Sequence, residues 1–182
     1  MTQEEGILLL KVARSAIEAH LSQRPFVLPE VRNPLFLEKR GIFVTLNAKG
    51  NLRGCIGRLE PTTPLIETVS QMALEAAFND PRFLPLRGEE LPSVLLELSI
   101  ISTVKKIHEI KEIQVGRDGL LIQRGVASGL LLPQVATVYH WTKEEFLTHT
   151  CLKAGLSTDA WKEGGTEIFT FTAEIFSEEK DV

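Results

Sequence analysis

The chain has 182 residues, of which 43% are hydrophobic and 24% are charged, and its formal net charge at pH 7 is −4. These are ordinary values for a globular protein of one domain, or of two small subdomains that share a core. The acidic balance argues against non-specific nucleic-acid binding, because such binding needs a basic surface. The N-terminal residues are typical neither of a signal peptide nor of a transmembrane segment, so we expect a cytoplasmic protein without membrane contact.

Taken in chain order, the first half of the sequence predicts a helix, a hairpin and a second helix. Apolar residues at helical spacing indicate an amphipathic helix over residues 4–22. Two extended runs around a polar, glycine-containing turn predict a β-hairpin over residues 41–57. Thr63 is suited to the N-cap of the next helix and Pro64 to its first position, and Pro81 ends that helix.

The second half of the sequence predicts mostly strands. The dense apolar run 94–101 is typical of a buried strand, and residues 113–123 indicate a second hairpin. Thr142 opens a helix through a capping box, and alternation over residues 167–174 predicts the last strand. The tail, residues 177–181, is expected to fray. Because hairpins imply antiparallel pairing, we expect an α+β fold with helices layered on a mostly antiparallel sheet.

The hexapeptide 52–57, Leu-Arg-Gly-Cys-Ile-Gly, is the most informative segment of the chain. Side chains alternate between the two faces of a strand, so the even positions of the hairpin share one face. That face is apolar or glycine throughout: Ile42, Val44, Leu46, Leu52, Gly54 and Ile56. It is therefore expected to cover the core, which leaves Arg53 and Cys55 side by side on the opposite face together with Thr45.

A thiol beside a guanidinium is a pattern that can carry chemistry. The thiolate is the reactive form of cysteine, and a nearby cation lowers the thiol pKa. We therefore expect Arg53 to lower the pKa of Cys55 and to bind an anionic group, with Thr45 lining the same site. Gly54 and Gly57 have no Cβ, so a ligand or another backbone can approach them closely. The alternative is that Cys55 is a small half-buried hydrophobe and that Arg53 forms a structural ion pair.

Glu97 bears on the choice between these two interpretations. It lies within an apolar strand, and a buried carboxylate needs a partner. Arg53 is the expected partner, and Arg82 is the second choice. A pair between Glu97 and Arg53 would favour the structural interpretation, because the cation would then be less available to Cys55.

Asp80 and Arg82 flank the proline that ends the second helix. We interpret them as part of a helix-terminating turn that is stabilised by its own charges. The alternative is that they form the rim of a pocket.

The hexapeptide resembles the signature of the AMMECR domain family, whose bacterial and archaeal members are called AmmeMemoRadiSam system protein A. The similarity continues in the same order along nearly the whole chain. It includes the segments 41–46, 76–83, 98–100, 116–120, 131–136 and 150–156, and then Trp161. On this agreement the chain is identified as a member of the family.

The resemblance implies a single AMMECR-type domain over residues 1–182, built from two interleaved α+β subdomains with a cleft between them. It also implies that the hexapeptide lies near that cleft. The name of the system implies association with a Memo-type protein, related to metal-dependent dioxygenases, and with a radical S-adenosylmethionine enzyme. Lys153 lies in a block that matches the family and is a candidate second cation of a shared pocket. Its alternative is a solvated lysine at a helix C-terminus.

The histidines and the second cysteine form no metal motif. His149 and Cys151 are two residues apart near a helix end, so their side chains diverge by about 200°. A zinc site would need distant segments to converge, and we expect no metal site. A pair of Cys55 with His140 or His149 would suit nucleophilic catalysis. The sequence contains no phosphate loop and no dinucleotide fingerprint, so it indicates no particular cofactor.

Two functions are compatible with these residues. In the first, the protein is an enzyme or an enzyme component, in which Arg53 binds an anionic group and Cys55 is a nucleophile or redox thiol, tuned by Lys153 or Glu97. In the second, it is a binding or adaptor module that holds a peptide or partner protein in the same cleft. The first is preferred, because a glycine-flanked Arg-Gly-Cys on a non-core face is unusual for packing alone. Nucleic-acid handling is disfavoured by the acidic charge.

Overall fold

The computed structural model describes residues 1–178, and in that part of the chain it contains four α-helices and eight β-strands. The helices are α1 (Gln3–Leu21), α2 (Leu65–Leu74), α3 (Pro133–Val138) and α4 (Lys143–Lys153). The strands are β1 (Ile42–Ala48), β2 (Asn51–Arg58), β3 (Val94–Ile101), β4 (Lys105–Ile107), β5 (Gly119–Arg124), β6 (Ala127–Leu131), β7 (Glu167–Phe171) and β8 (Ala173–Ser177). None of these helices is long and apolar enough to cross a membrane. The expected α+β class is confirmed, because the strands form two four-stranded antiparallel sheets.

The chain folds as two compact units. The first unit contains residues 1–101 and, from Glu174 onward, strand β8 except its first residue, whereas the second unit contains residues 102–173. The first sheet has the strand order β2-β1-β3-β8, and the second has the order β4-β7-β5-β6. The second unit is therefore an insertion between two neighbouring strands of the first sheet, β3 and β8.

The core of the first unit lies between one face of its sheet and the helices α1 and α2. Helix α1 begins with a capping box, in which Thr2 and Glu5 bond each other's backbone N–H groups. The even positions of β1 and β3 face these helices and are buried: Ile42, Val44, Leu46, Val94, Leu96, Leu98 and Ile100. For β1 the predicted core face is thus confirmed.

The second unit has a core of its own, where α4 packs on β5 and β6. The predicted capping box is present, because Thr142 accepts from the N–H of Glu145 and Glu145 accepts from the N–H of Thr142. The predicted hairpin over residues 113–123 is wrong. Residues 114–118 form a turn instead, in which the buried Asp118 carboxylate accepts the N–H of Gln114 at 2.8 Å, and the hairpin forms between β5 and β6.

Strands β1 and β2 form the predicted hairpin. Its two-residue connection consists of Lys49 and Gly50, with φ angles of +53° and +81°. Positive φ at both central residues matches the right-handed twist of the two strands, which is why glycine is favoured in such turns.

The hairpin contains a β-bulge within the hexapeptide. Leu46 pairs with Gly54, but the next pair is Asn47 with Leu52, so Arg53 has no residue opposite it on β1. One extra residue reverses the alternation of side chains beyond it. Leu52 is consequently on the same face as Asn47, away from the core, and is 44% exposed. The prediction that Leu52 belongs to the core face is therefore wrong.

Helix α2 starts differently from the prediction, and the helical segment that it begins ends before Pro81 as expected. Pro64 has extended backbone angles and occupies the N-cap position, so the predicted cap at Thr63 is wrong. The hydroxyl of Thr63 lies 3.0 Å from that of Thr68 instead. After α2 the chain widens into a π-helix (Glu75–Asn79), which ends immediately before Asp80 and Pro81.

The beginning of the expected frayed tail is held in place. Ser177 ends β8, and the Glu178 carboxylate accepts from the Arg14 guanidinium and from the N–H of Leu96. The remaining residues of that prediction, 179–181, lie outside the described part of the chain.

Candidate functional site

Three of the predicted site residues lie in one row across the first sheet. Cys55 on β2 is opposite Thr45 on β1, and Thr45 is opposite Glu97 on β3. We call Cys55, Thr45 and Glu97 the thiol row. All three are half-buried and lie on the face away from α1 and α2. The Thr45 hydroxyl donates to Cys55 Sγ at 3.3 Å, and Glu97 accepts from the hydroxyl of Ser177 at 3.2 Å.

The backbone of Cys55 is bound by an ion pair from the segment that follows the π-helix. Strand β2 is at the edge of its sheet, and the N–H and C=O groups of Cys55 point away from β1. The Cys55 N–H donates to Asp80 Oδ2 at 2.9 Å, and Arg82 Nη2 donates to the Cys55 carbonyl at 3.1 Å. Asp80 and Arg82 also pair with each other at 2.7 Å. The predicted charge-stabilised turn is thus present, and it also belongs to the site.

The electrostatics of the Asp80–Arg82 pair follow from burial. Asp80 is only 4% exposed, so its charge needs partners. The Arg82 guanidinium holds the pKa of Asp80 well below its usual value, and hydrogen bonds from the N–H groups of Cys55 and Arg82 act in the same direction. The pair is therefore ionised at neutral pH.

The pKa of the Cys55 thiol is raised above its ordinary value. Burial is the main cause, because it disfavours the thiolate. The carboxylates of Asp80 and Glu97 act in the same direction, whereas the hydrogen bond from Thr45 and the charge of Arg82 oppose it. The expected lowering of this pKa is wrong, because the pKa is raised. The guanidinium of Arg53 is bound to Glu90 instead.

Arg53 forms a bidentate ion pair with Glu90. Its Nε lies 2.9 Å from Glu90 Oε1 and its Nη2 lies 3.1 Å from Oε2, and Nη2 also donates to the Leu84 carbonyl at 3.0 Å. Arg53 is the first cause that lowers the pKa of Glu90, to about 2. The predicted pair of Glu97 with Arg53, and its second choice with Arg82, are both wrong.

A surface pocket of about 500 Å³ lies beside the hexapeptide. We call it the arginine pocket, and it is lined by Arg53, Arg82, Phe83, Leu84, Pro85, Arg87 and Glu90. The Phe83 ring lies near two of its guanidinium groups, 5.9 Å from Arg53 and 5.5 Å from Arg82. Sequence reasoning did not identify Glu90, Phe83 or Arg87, because they lie on an irregular segment with no periodicity.

The two glycines of the hexapeptide have packing roles. A Cβ on Gly54 would lie 2.2 Å from the Ala76 carbonyl oxygen of the π-helix. A Cβ on Gly57 would lie 2.3 Å from the Phe43 ring and 2.5 Å from the Ile42 carbonyl oxygen. The close approach expected at these glycines is thus made by the chain itself. Their role in ligand binding stays a prediction.

The other candidates belong to the second unit. Lys153 is the last residue of α4 and is exposed, so its predicted role stays a prediction. Cys151 is buried in the core of that unit, His149 stacks on Trp141 at 3.9 Å, and His140 is exposed. Among residues 1–178, no group of three or more His, Cys, Asp or Glu side chains is arranged to hold a metal ion.

Comparison with known proteins gives the same assignment as the hexapeptide. The model of the AMMECR1 family matches residues 10–176. The chain belongs to the AMMECR1 family. This AMMECR1-family protein is 45% identical to a protein of Methanothermobacter thermautotrophicus, over 98% of the chain and 97% of that relative. It is 46% identical to protein MJ0810 of Methanocaldococcus jannaschii, over 98% of the chain and 92% of that relative.

A solved structure resembles this AMMECR1-family protein over almost its whole length. The crystal structure of PH0010, an uncharacterized protein from Pyrococcus horikoshii, matches with a TM-score of 0.93. The two sequences are 42% identical, and the match covers 98% of this chain and 94% of the other. At this identity and coverage the two proteins share the whole α+β fold, including the strand that carries the hexapeptide.

Proposed function

We propose that this AMMECR1-family protein is a binding component of an enzyme system and holds a ligand or a partner protein on the sheet face that carries the thiol row. The observation that supports this most is the environment of Cys55. Its backbone is fixed by the Asp80–Arg82 pair, while its thiol pKa is raised. A thiol with a raised pKa is protonated at neutral pH and is a poor nucleophile.

A fixed, protonated thiol is better suited to bind a ligand through non-covalent contacts than to attack a substrate as a nucleophile. Hydrogen bonds and an ion pair hold the residues around Cys55, so little conformational freedom is lost when a ligand binds. Thr45 and Glu97 extend the same row with a hydroxyl and a carboxylate. The row therefore offers hydrogen-bonding groups in a set order to whatever covers this face.

The proposed partners are a Memo-type protein and a radical S-adenosylmethionine enzyme, as the name of the system in related proteins suggests. In this proposal the chemistry resides in those partners, and the protein acts with them in the cytoplasm. This proposal reverses the preference from sequence for catalysis by Cys55, because Arg53 is bound to Glu90 and the pKa of the thiol is raised.

The test is a binding measurement with purified Memo-type and radical S-adenosylmethionine proteins from the same genome. We expect one of them to bind, Cys55→Ser to bind within about threefold of wild type, and Thr45→Tyr to bind at least about tenfold more weakly, because its ring would cover the row. Lys111→Gln in the second unit is the control. Failure of both proteins to bind, or equal binding by Thr45→Tyr, would contradict the proposal.

The second candidate is an enzyme component in which Cys55 is the nucleophile. The observation in its favour is that Cys55 is half-buried rather than fully buried. Its Sγ accepts the hydrogen bond from Thr45, and the charge of Arg82 opposes the effect of burial on the thiol pKa. Alkylation by iodoacetamide from pH 5 to 9, in the presence of the partners, separates the two candidates. A Cys55 midpoint well below pH 8 would support the nucleophile, whereas slow alkylation that reaches no midpoint by pH 9 would support the binding component.

A further inference from the structure

The arginine pocket, which borders the thiol row at Arg82, has chemistry of its own. Three guanidinium groups line it, those of Arg53, Arg82 and Arg87, and the lining contains one carboxylate, that of Glu90. Guanidinium groups bind carboxylates through paired N–H donors, and their faces stack on aromatic rings. With Phe83 beside two of them, the lining is suited to an oxyanion.

Glu90 demonstrates that a carboxylate fits among these residues. Both of its oxygens accept from Arg53, and Oε2 also accepts from the backbone N–H of Arg87 at 2.9 Å. The Arg87 guanidinium is further away, at 3.8 Å. One carboxylate therefore occupies Arg53 almost fully, while Arg87 makes only a long contact.

Donors remain for a second carboxylate. The Arg87 side chain is 76% exposed, and that of Arg82 is about half exposed although it pairs with Asp80. Arg53 Nη1 also has no acceptor among the described residues, but it is buried and is therefore not one of these donors. With the Asp80 carboxylate that pairs with Arg82 included, three guanidinium groups face two carboxylates, Glu90 and Asp80, and the remaining positive charge attracts a further anion.

The apolar side of the pocket is held in place but open to solvent. Leu84 is 84% exposed, yet its carbonyl accepts from Arg53. Two residues further, Leu86 is buried and its N–H donates to the Ala77 carbonyl at 2.8 Å. An exposed leucine on a segment fixed in this way is preorganised for an apolar contact, because little freedom is left to lose on binding.

We propose that the arginine pocket binds a carboxylate that carries an adjacent apolar group, with Arg87 and Arg82 contacting the carboxylate and Leu84 the apolar group. Glu90 keeps Arg53 in position beneath it. This inference rests on the proposed binding function, and it names the chemistry of a ligand that would bind beside the thiol row. The carboxylate could belong to a free organic acid or to an acidic side chain of a partner protein.

The test uses the isolated, ¹⁵N-labelled full chain and follows the side-chain Nε–Hε NMR signals of Arg82 and Arg87. The probes are 4-methylpentanoate, its neutral amide, and acetate, which lacks the apolar group. We expect saturable shifts with 4-methylpentanoate at millimolar concentration, none with the amide, and binding of acetate at least about threefold weaker. A blocked Leu-Glu peptide and its Leu-Gln counterpart form the second arm.

Three variants test whether the NMR shifts arise from a ligand that is bound in the arginine pocket. Arg87→Gln is expected to weaken binding of 4-methylpentanoate at least about fivefold, whereas Leu84→Ala is expected to remove its advantage over acetate. Lys111→Gln removes a cation that is equally exposed, at 76%, and is expected to bind as wild type does. Arg87 and Leu84 are exposed, so neither substitution should disturb folding.

Each outcome decides the proposal. If the Leu-Glu peptide binds at least about tenfold more tightly than 4-methylpentanoate, the natural ligand is an acidic side chain of a protein partner. If 4-methylpentanoate binds more tightly than the peptide, the natural ligand is a small organic acid. Equal shifts with acid and amide, equal binding by Arg87→Gln, or no saturation up to about 50 mM would overturn it. Because no partner protein is present, this failure is distinct from failure of the binding test with the two purified proteins.

Discussion

At the residue scale, Cys55 is influenced by charges of both signs. Asp80 and Glu97 raise its pKa, Arg82 lowers it, and the bonded pair of Asp80 and Arg82 lies on the same short segment. The two members of one ion pair thus act on the thiol in opposite directions. Arg53, two residues away in sequence, is not among the main groups that shift this pKa.

These signs give a prediction for three substitutions. Asp80→Asn is expected to lower the pKa of the Cys55 thiol, Arg82→Gln to raise it, and Arg53→Gln to leave it unchanged, because the first removes a repulsive charge and the second an attractive one. The measurement is the pH dependence of iodoacetamide alkylation, resolved by peptide. An exposed thiol introduced by Ser157→Cys provides the reference, since Cys151 is buried. A shift in Arg53→Gln comparable to that in Arg82→Gln would contradict the assignment.

The sequence predicted part of this site, and the reason for the rest is geometric. Alternation along a strand suffices to place Thr45 and Cys55 on one face, and the structure confirms it. It says nothing of partners from irregular segments, so Glu90 was not identified and Glu97 was assigned to Arg53 wrongly. The bond of Asp80 to the Cys55 N–H depends on how the π-helix meets β2, which no local pattern encodes.

At the element scale, the π-helix and β2 are in direct backbone contact. The Ala76 carbonyl of the π-helix lies against Gly54, at a place where any Cβ would collide with it. π-helical turns are rare in proteins, but those that do occur often lie at functional sites. Here the turn precedes Asp80 directly, so the contact at Gly54 and the hydrogen bond at Cys55 depend on the same packing of the two elements.

Gly54→Ala is therefore expected to destabilise the protein. The added methyl group would lie 2.2 Å from a backbone oxygen, which cannot move as a side chain can. We expect a loss of about 3 kcal/mol in the free energy of unfolding, measured by urea denaturation. Gly88→Ala is the matched control, because its Cβ would meet nothing within 4 Å, and a change below about 0.5 kcal/mol is expected there. A similar small change in Gly54→Ala would show that the two elements are free to separate.

The β-bulge explains why strand pattern alone misplaced one residue of the hexapeptide. The even positions are apolar from Ile42 to Ile56, and an uninterrupted ladder would bury Leu52 with them. The unpaired Arg53 breaks the ladder, and its side chain is bound by Glu90 from outside the hairpin. The contact with Glu90 lies far away in sequence, and neither it nor the bulge is visible in the alternation of the strand itself.

At the scale of the whole molecule, two carboxylates of the site make the stability of the folded protein depend on pH. The pKa of Glu90 falls from 4.5 to about 2 in the folded protein, and that of Asp80 is also lowered. A carboxyl whose pKa is lower in the folded than in the unfolded protein stabilises the fold above its unfolded pKa. This stabilisation is lost as the pH falls from about 5 towards the folded pKa.

We expect the free energy of unfolding to fall between about pH 5 and pH 2, with Glu90 responsible for about 1–2 kcal/mol of the loss after allowance for its partial exposure. Urea denaturation across this range is the measurement. Glu90→Gln should be less stable at pH 7 and should show a flatter pH dependence, while the exposed Glu60→Gln should match wild type. Parallel curves for Glu90→Gln and wild type would contradict the role given to this ion pair.

The insertion of the second unit between β3 and β8 also determines the order in which the parts of the first unit are synthesised. During synthesis β3 leaves the ribosome more than 70 residues before β8, because residues 102–173 must be made in between. Until then the ring of Phe176, which packs against Gly6 at the start of α1, is missing from the core, as is the partner of Arg14. The part of the chain that carries the hexapeptide is therefore begun first and completed last, with the second unit translated in the interval.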